Sequence, residues 1–134
     1  MDWKGCLKTR TAKEVKSDLN LIKSTKEIAE IKVTSANALP KELFIGKITL
    51  LYDALREYLE SAALMNHYKI YNHECYTAFI KEILKLPREA ELFDKLKKVR
   101  NGINYYGRNV SEEEAEEILN GLLSLIAKFR NYKL

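Results

Sequence analysis

The chain has 134 residues, of which 46% are hydrophobic and 31% are charged. This length and balance predict one soluble domain spanning residues 1–134. No apolar run approaches the roughly 20 residues of a membrane-spanning helix, so we expect no association with a membrane. The net charge of +4 is mild, so it permits contact with nucleic acid without requiring it.

The cysteines and the first residues bear on the cellular compartment. Cys6 and Cys75 are far apart in the sequence and do not have the spacing of zinc ligands. We therefore expect a fold that needs no disulfide, no metal and no cofactor. The first residues lack the apolar core of a secretion signal. Together these features predict a cytoplasmic protein.

The first two predicted elements are amphipathic helices. One covers about residues 11–34 and places Val15, Leu19, Ile22 and Ala29 on one face. The other begins after Pro40 and has apolar residues at alternating spacings of four and three. This second pattern is the most regular in the chain, and its predicted core positions are Phe44, Ile48, Leu51, Leu55, Tyr58, Ala62 and Met65.

Three further helices complete the predicted fold. Asn72 is expected to cap the third helix, which stops before Pro87. Gly107 is expected to end the fourth. Ser111 is expected to cap the fifth, with Glu114 reaching back to it. No convincing strand pattern is present, so the fold class is all-α: an up-and-down bundle of four to five helices. The core positions of the third and fifth helices are Cys75, Phe79, Ile83 and Leu86, and Ala115, Ile118, Leu122, Ile126 and Phe129.

The fourth helix carries the stretch Lys-Lys-Val-Arg-Asn-Gly-Ile-Asn-Tyr-Tyr-Gly, residues 97–107. Arg100 and Asn104 lie one helical turn apart on a polar face, with Lys97 beside them. Such a group of donors suits an anion, above all a phosphate. The alternative is an ordinary solvated face. The apolar face of the same helix is formed by Leu92, Leu96, Val99, Ile103 and Tyr106.

Two segments resemble the HEPN domains (higher eukaryotes and prokaryotes nucleotide-binding). The segment Tyr68–Glu74 looks like the family's turn between the second and third helices. The segment Val99–Gly107 looks like its signature: an arginine, a polar residue, three or more further residues and then a histidine. The resemblance implies a helical domain that usually forms a dimer. In many members it is a metal-independent ribonuclease with a composite site at the dimer cleft. Other members are binding modules, and many are paired with small nucleotidyltransferases.

The resemblance assigns roles to individual residues. Arg100 would hold the scissile phosphate, and Asn101 would orient that phosphate or the attacking hydroxyl. Tyr105 stands where the family has histidine. A tyrosine, with a pKa of ~10, is a poor base at neutral pH, although it can donate a hydrogen bond, stack on a base or act as an acid. We therefore expect phosphate binding to be retained better than catalysis.

The helix geometry favours a dimer. Side chains five residues apart on a regular helix point about 140° away from each other, so Arg100 and Tyr105 are not expected to share a site within one straight helix. Either the helix deforms near Gly102, or a second subunit supplies the partner residue. We expect a homodimer in which two copies of this helix meet. Further ligand contacts are expected from Lys97, Asn104, Tyr106 and Arg108.

Two functions from different classes remain open. The first is an RNA-binding, nucleotide-binding or partner-docking module, which could be paired with a nucleotidyltransferase. The second is a metal-independent ribonuclease, acting as a toxin or defence effector with a tyrosine or a borrowed histidine. The loss of the expected histidine favours the first. His67 and His73 are interpreted as surface or capping residues, and His73 could reach the cluster only if the third helix begins beside the fourth.

Overall fold

Helix α3, Phe44–Met65, lies at the centre of the fold. More than half of its 22 residues are buried, and it packs mainly against α2 and α6, with further contacts to α5. The computed structural model describes all residues 1–134 and confirms the all-α bundle. Its elements are α1 Trp3–Lys8, β1 Ala12–Glu14, α2 Leu19–Ala38, α3 Phe44–Met65, β2 Tyr68–Ile70, α4 His73–Ala78, a π-helical turn Phe79–Ile83, α5 Pro87–Tyr106 and α6 Glu112–Arg130.

The predicted core of α3 is confirmed, and so is that of α6. Between Ile48 and Ala62 every predicted apolar position of α3 is buried, whereas Phe44 and Met65, at the two ends, are partly exposed. All five predicted core residues of α6 are buried. The buried positions of these two helices agree with the prediction because their apolar stripes face neighbouring helices along most of their length.

The beginning of the first predicted helix was wrong. Helix α2 begins at Leu19 instead of residue 11, and Asp18 caps it by accepting a hydrogen bond from the Leu21 amide at 3.1 Å. The preceding residues form β1, which pairs antiparallel with β2, Ala12 opposite Ile70. The expected absence of strands was therefore also wrong. A three-residue strand is too short to produce a visible alternation, and it forms here because a distant segment supplies its hydrogen bonds.

A disulfide joins Cys6 of α1 to Cys75 of α4, although the sequence was expected to need none. Both cysteines are fully buried. The bond fixes α1 to the bundle together with Trp3, whose ring lies 4.9 Å from that of Tyr68 and 5.7 Å from that of Phe79, centroid to centroid. Since disulfides persist in oxidising surroundings, the argument from the cysteines to a reducing compartment no longer holds.

The predicted caps of the third and fourth helices are confirmed. The Asn72 side chain accepts from the Glu74 amide at 2.8 Å and caps α4. Gly107 ends α5 in the left-handed conformation, with φ of 64°. This matters for the site because the caps make His73 the first residue of α4 and place Tyr105 in the last turn of α5.

Two details at the end of α5 differ from expectation. Tyr106 was placed on the apolar face but is 84% exposed, because no neighbouring helix covers the last turn; Phe93, a position not predicted, is fully buried instead. Ser111 caps α6 by accepting from the Glu114 amide at 3.1 Å. The Glu114 carboxylate does not reach back to the cap but pairs with Arg108.

None of the helices is both long enough and apolar enough to cross a lipid bilayer.

Candidate functional site

Arg100 packs against two tyrosine rings near the end of α5. Its guanidinium carbon lies 5.0 Å from the ring centroid of Tyr52, on α3, and 5.6 Å from that of Tyr105. Only 13% of the Arg100 side chain is exposed. Cation–π contacts of this kind hold a guanidinium in place without consuming its hydrogen-bond donors.

The donors of Arg100 are incompletely used. Nη1 donates to the Asn101 side-chain oxygen at 3.4 Å and to the Tyr105 hydroxyl at 3.3 Å, while Nη2 lies 3.6 Å from a carboxylate oxygen of Asp53. Nε is buried and has no acceptor. Strong charge-assisted hydrogen bonds are shorter than 3 Å, so this guanidinium can still take an anionic acceptor.

Arg100 and Tyr105 do share one site within a single helix, contrary to the geometric expectation. Helix α5 is continuous through Gly102. The two backbone positions do point apart, but both side chains are long and fold toward each other across the helix surface. The structure thus brings Arg100, Asn101 and Tyr105 together without a helix deformation or a second subunit.

His73 reaches the same cluster through Tyr52. Helix α4 packs against α5, and the His73 ring nitrogen Nδ1 lies 3.4 Å from the Tyr52 hydroxyl. Asn72 serves as the cap, which leaves His73 as the first helical residue, with a partly buried ring. The condition set for His73, that its helix begin beside the arginine-bearing helix, is therefore met, and its ring is partly buried instead of lying fully on the surface.

The surroundings of the cluster favour the uncharged forms of His73 and Tyr52. Burial, then the positive charges of Arg56, Arg100 and Lys97, lower the pKa of His73, with Asp53 opposing them. Burial raises the pKa of Tyr52 to about 12, although Arg100 and Arg56 act in the opposite direction. At neutral pH the imidazole and the phenol are both uncharged, and the charge around them comes from Arg56, Arg100 and Lys97, opposed by Asp53.

Arg56 is a second cation at this cluster. It lies one turn after Tyr52 on α3, makes no ion pair, and its buried Nε has no acceptor. Its charge acts on Tyr52, His73 and Tyr76 alike. Two arginines with unused donors therefore flank one tyrosine–histidine pair.

The other predicted ligand-binding residues either lie apart from the Tyr52–His73 pair or are already paired with a carboxylate. Lys97 is buried, 7% exposed, and its Nζ is 3.1 Å from an Asp94 carboxylate oxygen. Arg108 pairs with Glu114. Asn104 and Tyr106 are exposed and make no side-chain hydrogen bond. As contributors to ligand binding, these four residues stay predictions.

Sequence reasoning missed the contribution of α3 to the site. Tyr52, Asp53 and Arg56 are not among the site residues that the sequence predicts. No clear signal was present, since α3 also carries Lys47, Glu57 and Glu60 and the pair Asp53 and Arg56 does not stand out among them. Nothing local indicates that they face Arg100.

The cluster has two chemical capacities. Arg100 and Arg56 can take a phosphate, because their donors are only partly satisfied and the nearest carboxylate, Asp53, does not close on Arg100. His73 can accept a proton, because it is neutral and its Nε2 makes no hydrogen bond within the protein. Comparison with protein-family models, curated proteins and solved structures found no match to this chain.

Proposed function

We propose that this protein is a HEPN-like module that binds RNA or a nucleotide through a phosphate held by Arg100. The observation that carries this proposal is the guanidinium itself, whose Nη atoms make no polar contact shorter than 3.3 Å. A phosphate oxygen at the Nη atoms would form a shorter, charge-assisted hydrogen bond than any that these donors now make. Arg56 adds a second positive charge without a carboxylate of its own.

Exposed aromatic side chains support a nucleic-acid ligand over a free anion. Tyr105 is 67% exposed beside Arg100, and Tyr106 follows it at 84%. Such rings provide platforms on which bases can stack, with a contribution of about 1–3 kcal/mol per base. A phosphate-binding arginine next to an accessible ring fits single-stranded RNA.

A homodimer belongs to the same proposal. A two-fold axis near the exposed end of α5 would bring two Arg100 clusters together and widen the positive surface. Docking of a nucleotidyltransferase-type partner is the other binding role that the resemblance implies. Light scattering at micromolar concentration tests the dimer, for which twice the 15.6 kDa chain mass is expected; a monomer at all concentrations would contradict it.

The binding proposal is tested with a short fluorescent single-stranded RNA and anisotropy measurements in the presence of a chelator. Arg100→Ala should weaken binding at least tenfold and reduce its salt dependence, because one phosphate contact is lost. The matched control is Arg88→Ala, which removes an exposed arginine near the start of the same helix. Equal loss in the two variants would indicate nonspecific charge attraction, and unchanged binding by Arg100→Ala would overturn the assignment.

A further inference from the structure

The N-terminal segment, residues 1–16, carries most of the net charge of the chain. It holds five lysines and arginines against two acidic residues, so it contributes three of the four net positive charges. All five cationic side chains are exposed, and none of them pairs with a carboxylate. We call this set the N-terminal basic surface; its members are Lys4, Lys8, Arg10, Lys13 and Lys16. Such an uncompensated patch attracts a polyanion.

Contacts with the rest of the fold hold this segment in one position. The disulfide joins Cys6 of α1 to Cys75 of α4, and β1 pairs with β2. The Trp3 amide also donates to a Glu82 carboxylate oxygen at 2.7 Å. Because its backbone is already ordered, the segment loses less conformational entropy on binding than a flexible basic tail would.

An exposed aromatic ring lies beside these cations. Tyr71 is 58% exposed, and Lys13 Nζ lies 5.5 Å from its ring centroid. The Tyr71 amide donates to the Thr11 carbonyl oxygen at 2.8 Å, which continues the β1–β2 hydrogen bonding and fixes the backbone that carries the ring. Proteins bind single-stranded nucleic acid with this combination, in which cations hold the phosphates and the ring stacks on a base.

The N-terminal basic surface adjoins the Arg100 site at the start of α4. Tyr71 precedes His73 by two residues, so their Cα atoms are at most about 7 Å apart. His73 contacts the Tyr52 hydroxyl, and Arg100 packs on the ring of the same tyrosine. A single oligonucleotide can therefore extend from Arg100 to Tyr71 across this end of the bundle.

We propose that the N-terminal basic surface and Tyr71 form a second contact region for the single-stranded RNA that is bound at Arg100. Lys8, Arg10 and Lys13 hold backbone phosphates, and a base stacks on Tyr71. This inference rests on the proposed RNA-binding function and extends it to residues outside the Arg100 cluster. An anionic membrane is the other partner for a basic segment, but Trp3, the aromatic side chain that would enter the lipid headgroups, is buried.

The test is RNA binding, measured by fluorescence anisotropy at several salt concentrations. The triple variant Lys8→Gln, Arg10→Gln, Lys13→Gln should weaken binding of an RNA of about 12 nucleotides by about tenfold or more. The magnitude of the slope of log K against log salt should fall by about 2, because each lost phosphate contact removes roughly 0.7. The matched control, Lys23→Gln, Arg88→Gln, Lys133→Gln, removes three exposed cations without ion pairs and should keep the wild-type slope.

The length of the RNA separates this inference from the proposed function. A trinucleotide that covers only the Arg100 site should lose affinity with Arg100→Ala and keep it with the triple variant. Equal effects of the triple variant and its control on the longer RNA would overturn the second contact region and leave binding at Arg100 standing. Failure of the wild type to bind RNA would overturn the proposed function and this inference together. Binding to phosphatidylserine vesicles that the triple variant loses, with RNA affinity unchanged, would assign the surface to a membrane and overturn the inference.

Two single positions separate a contact with RNA from an effect on folding. Arg10 has a φ of 61°, in the left-handed region that favours glycine, so Arg10→Gly removes the cation without straining the backbone. It should weaken RNA binding while leaving the thermal unfolding midpoint at or above that of the wild type. Tyr71→Phe should bind RNA like the wild type and Tyr71→Leu more weakly, because only phenylalanine keeps a ring for stacking. Equal affinities of these two variants would overturn the role of Tyr71.

Discussion

At the scale of single residues, the site depends on the pairing of one arginine with one buried tyrosine. Tyr52 is fully buried, and its ring also stacks near Phe93, 6.0 Å between centroids. This packing holds the Tyr52 ring in place, and the ring in turn positions Arg100 and His73. A lysine at position 100 would keep the charge but lose the flat guanidinium that lies against the ring.

The lowered pKa of His73 predicts a specific pH dependence of stability. Because its pKa is lower in the folded than in the unfolded chain, the unfolded state binds more protons between the two values. The stability that the neutral imidazole contributes is present above about pH 6.5 and is lost as the pH falls toward the folded pKa. His73→Gln should therefore flatten the dependence of the free energy of unfolding on pH below about 6.5.

Urea denaturation at several pH values checks this slope. His67→Asn, which removes the other histidine, is the matched control. Identical slopes for wild type and His73→Gln would show that the surroundings of His73 do not perturb its titration.

At the scale of elements, the termini of α5 and α6 place the site. Gly107 ends α5 directly after the exposed tyrosines, and Ser111 starts α6 four residues later. The Arg108–Glu114 ion pair spans this connection. The short connection turns the chain back, so that α6 covers the apolar side of α5 and leaves its Arg100 side toward α3 and α4.

Two glycines of these helices should respond oppositely to alanine. Gly107→Ala places a side chain in the left-handed conformation and should cost about 1 kcal/mol, although no atom lies within 4 Å of the added carbon. Gly121→Ala lies inside α6, where the added carbon would meet Leu96 and Leu92 at ordinary contact distances of 3.5 and 3.6 Å. Helix propensity should then stabilise the protein by about 0.5–1 kcal/mol. Thermal and urea unfolding measure both, and changes of the same sign would contradict the structural assignment.

At the scale of the whole molecule, the disulfide ties the N-terminal segment to the bundle. Cys6 and Cys75 are 69 residues apart, and the loop they close contains α2 and α3. The β1–β2 pair closes a similar loop with hydrogen bonds. The N-terminal segment is thus fixed to the end of the bundle that carries α4 and His73.

Loss of the disulfide should lower the free energy of unfolding by about 4 kcal/mol, from the entropy of closing a loop of this length. Urea denaturation of the wild type with and without a thiol reductant measures the effect at equilibrium. The Cys6→Ala, Cys75→Ala double variant is the control and should not respond to reductant. A wild-type midpoint that reductant leaves unchanged would contradict a stabilising bond.

The sequence by itself determined the helical class, the cores of α3 and α6, and the caps Asn72, Gly107 and Ser111. These features are encoded locally: apolar periodicity and capping residues act within a few turns of one helix. The same local reading singled out Arg100 as a candidate anion ligand. It misplaced the start of α2 because the residues before it form a strand only through a distant partner.

Only the tertiary structure decided which residues share the site. Tyr52, His73 and Arg100 come from three helices separated by long stretches of chain, and their proximity follows from how α3, α4 and α5 pack. The disulfide and the β1–β2 pair are non-local in the same way. Periodicity shows which face of a helix is buried but not which residue of another helix it meets, and such contacts bring both His73 and Arg100 against Tyr52.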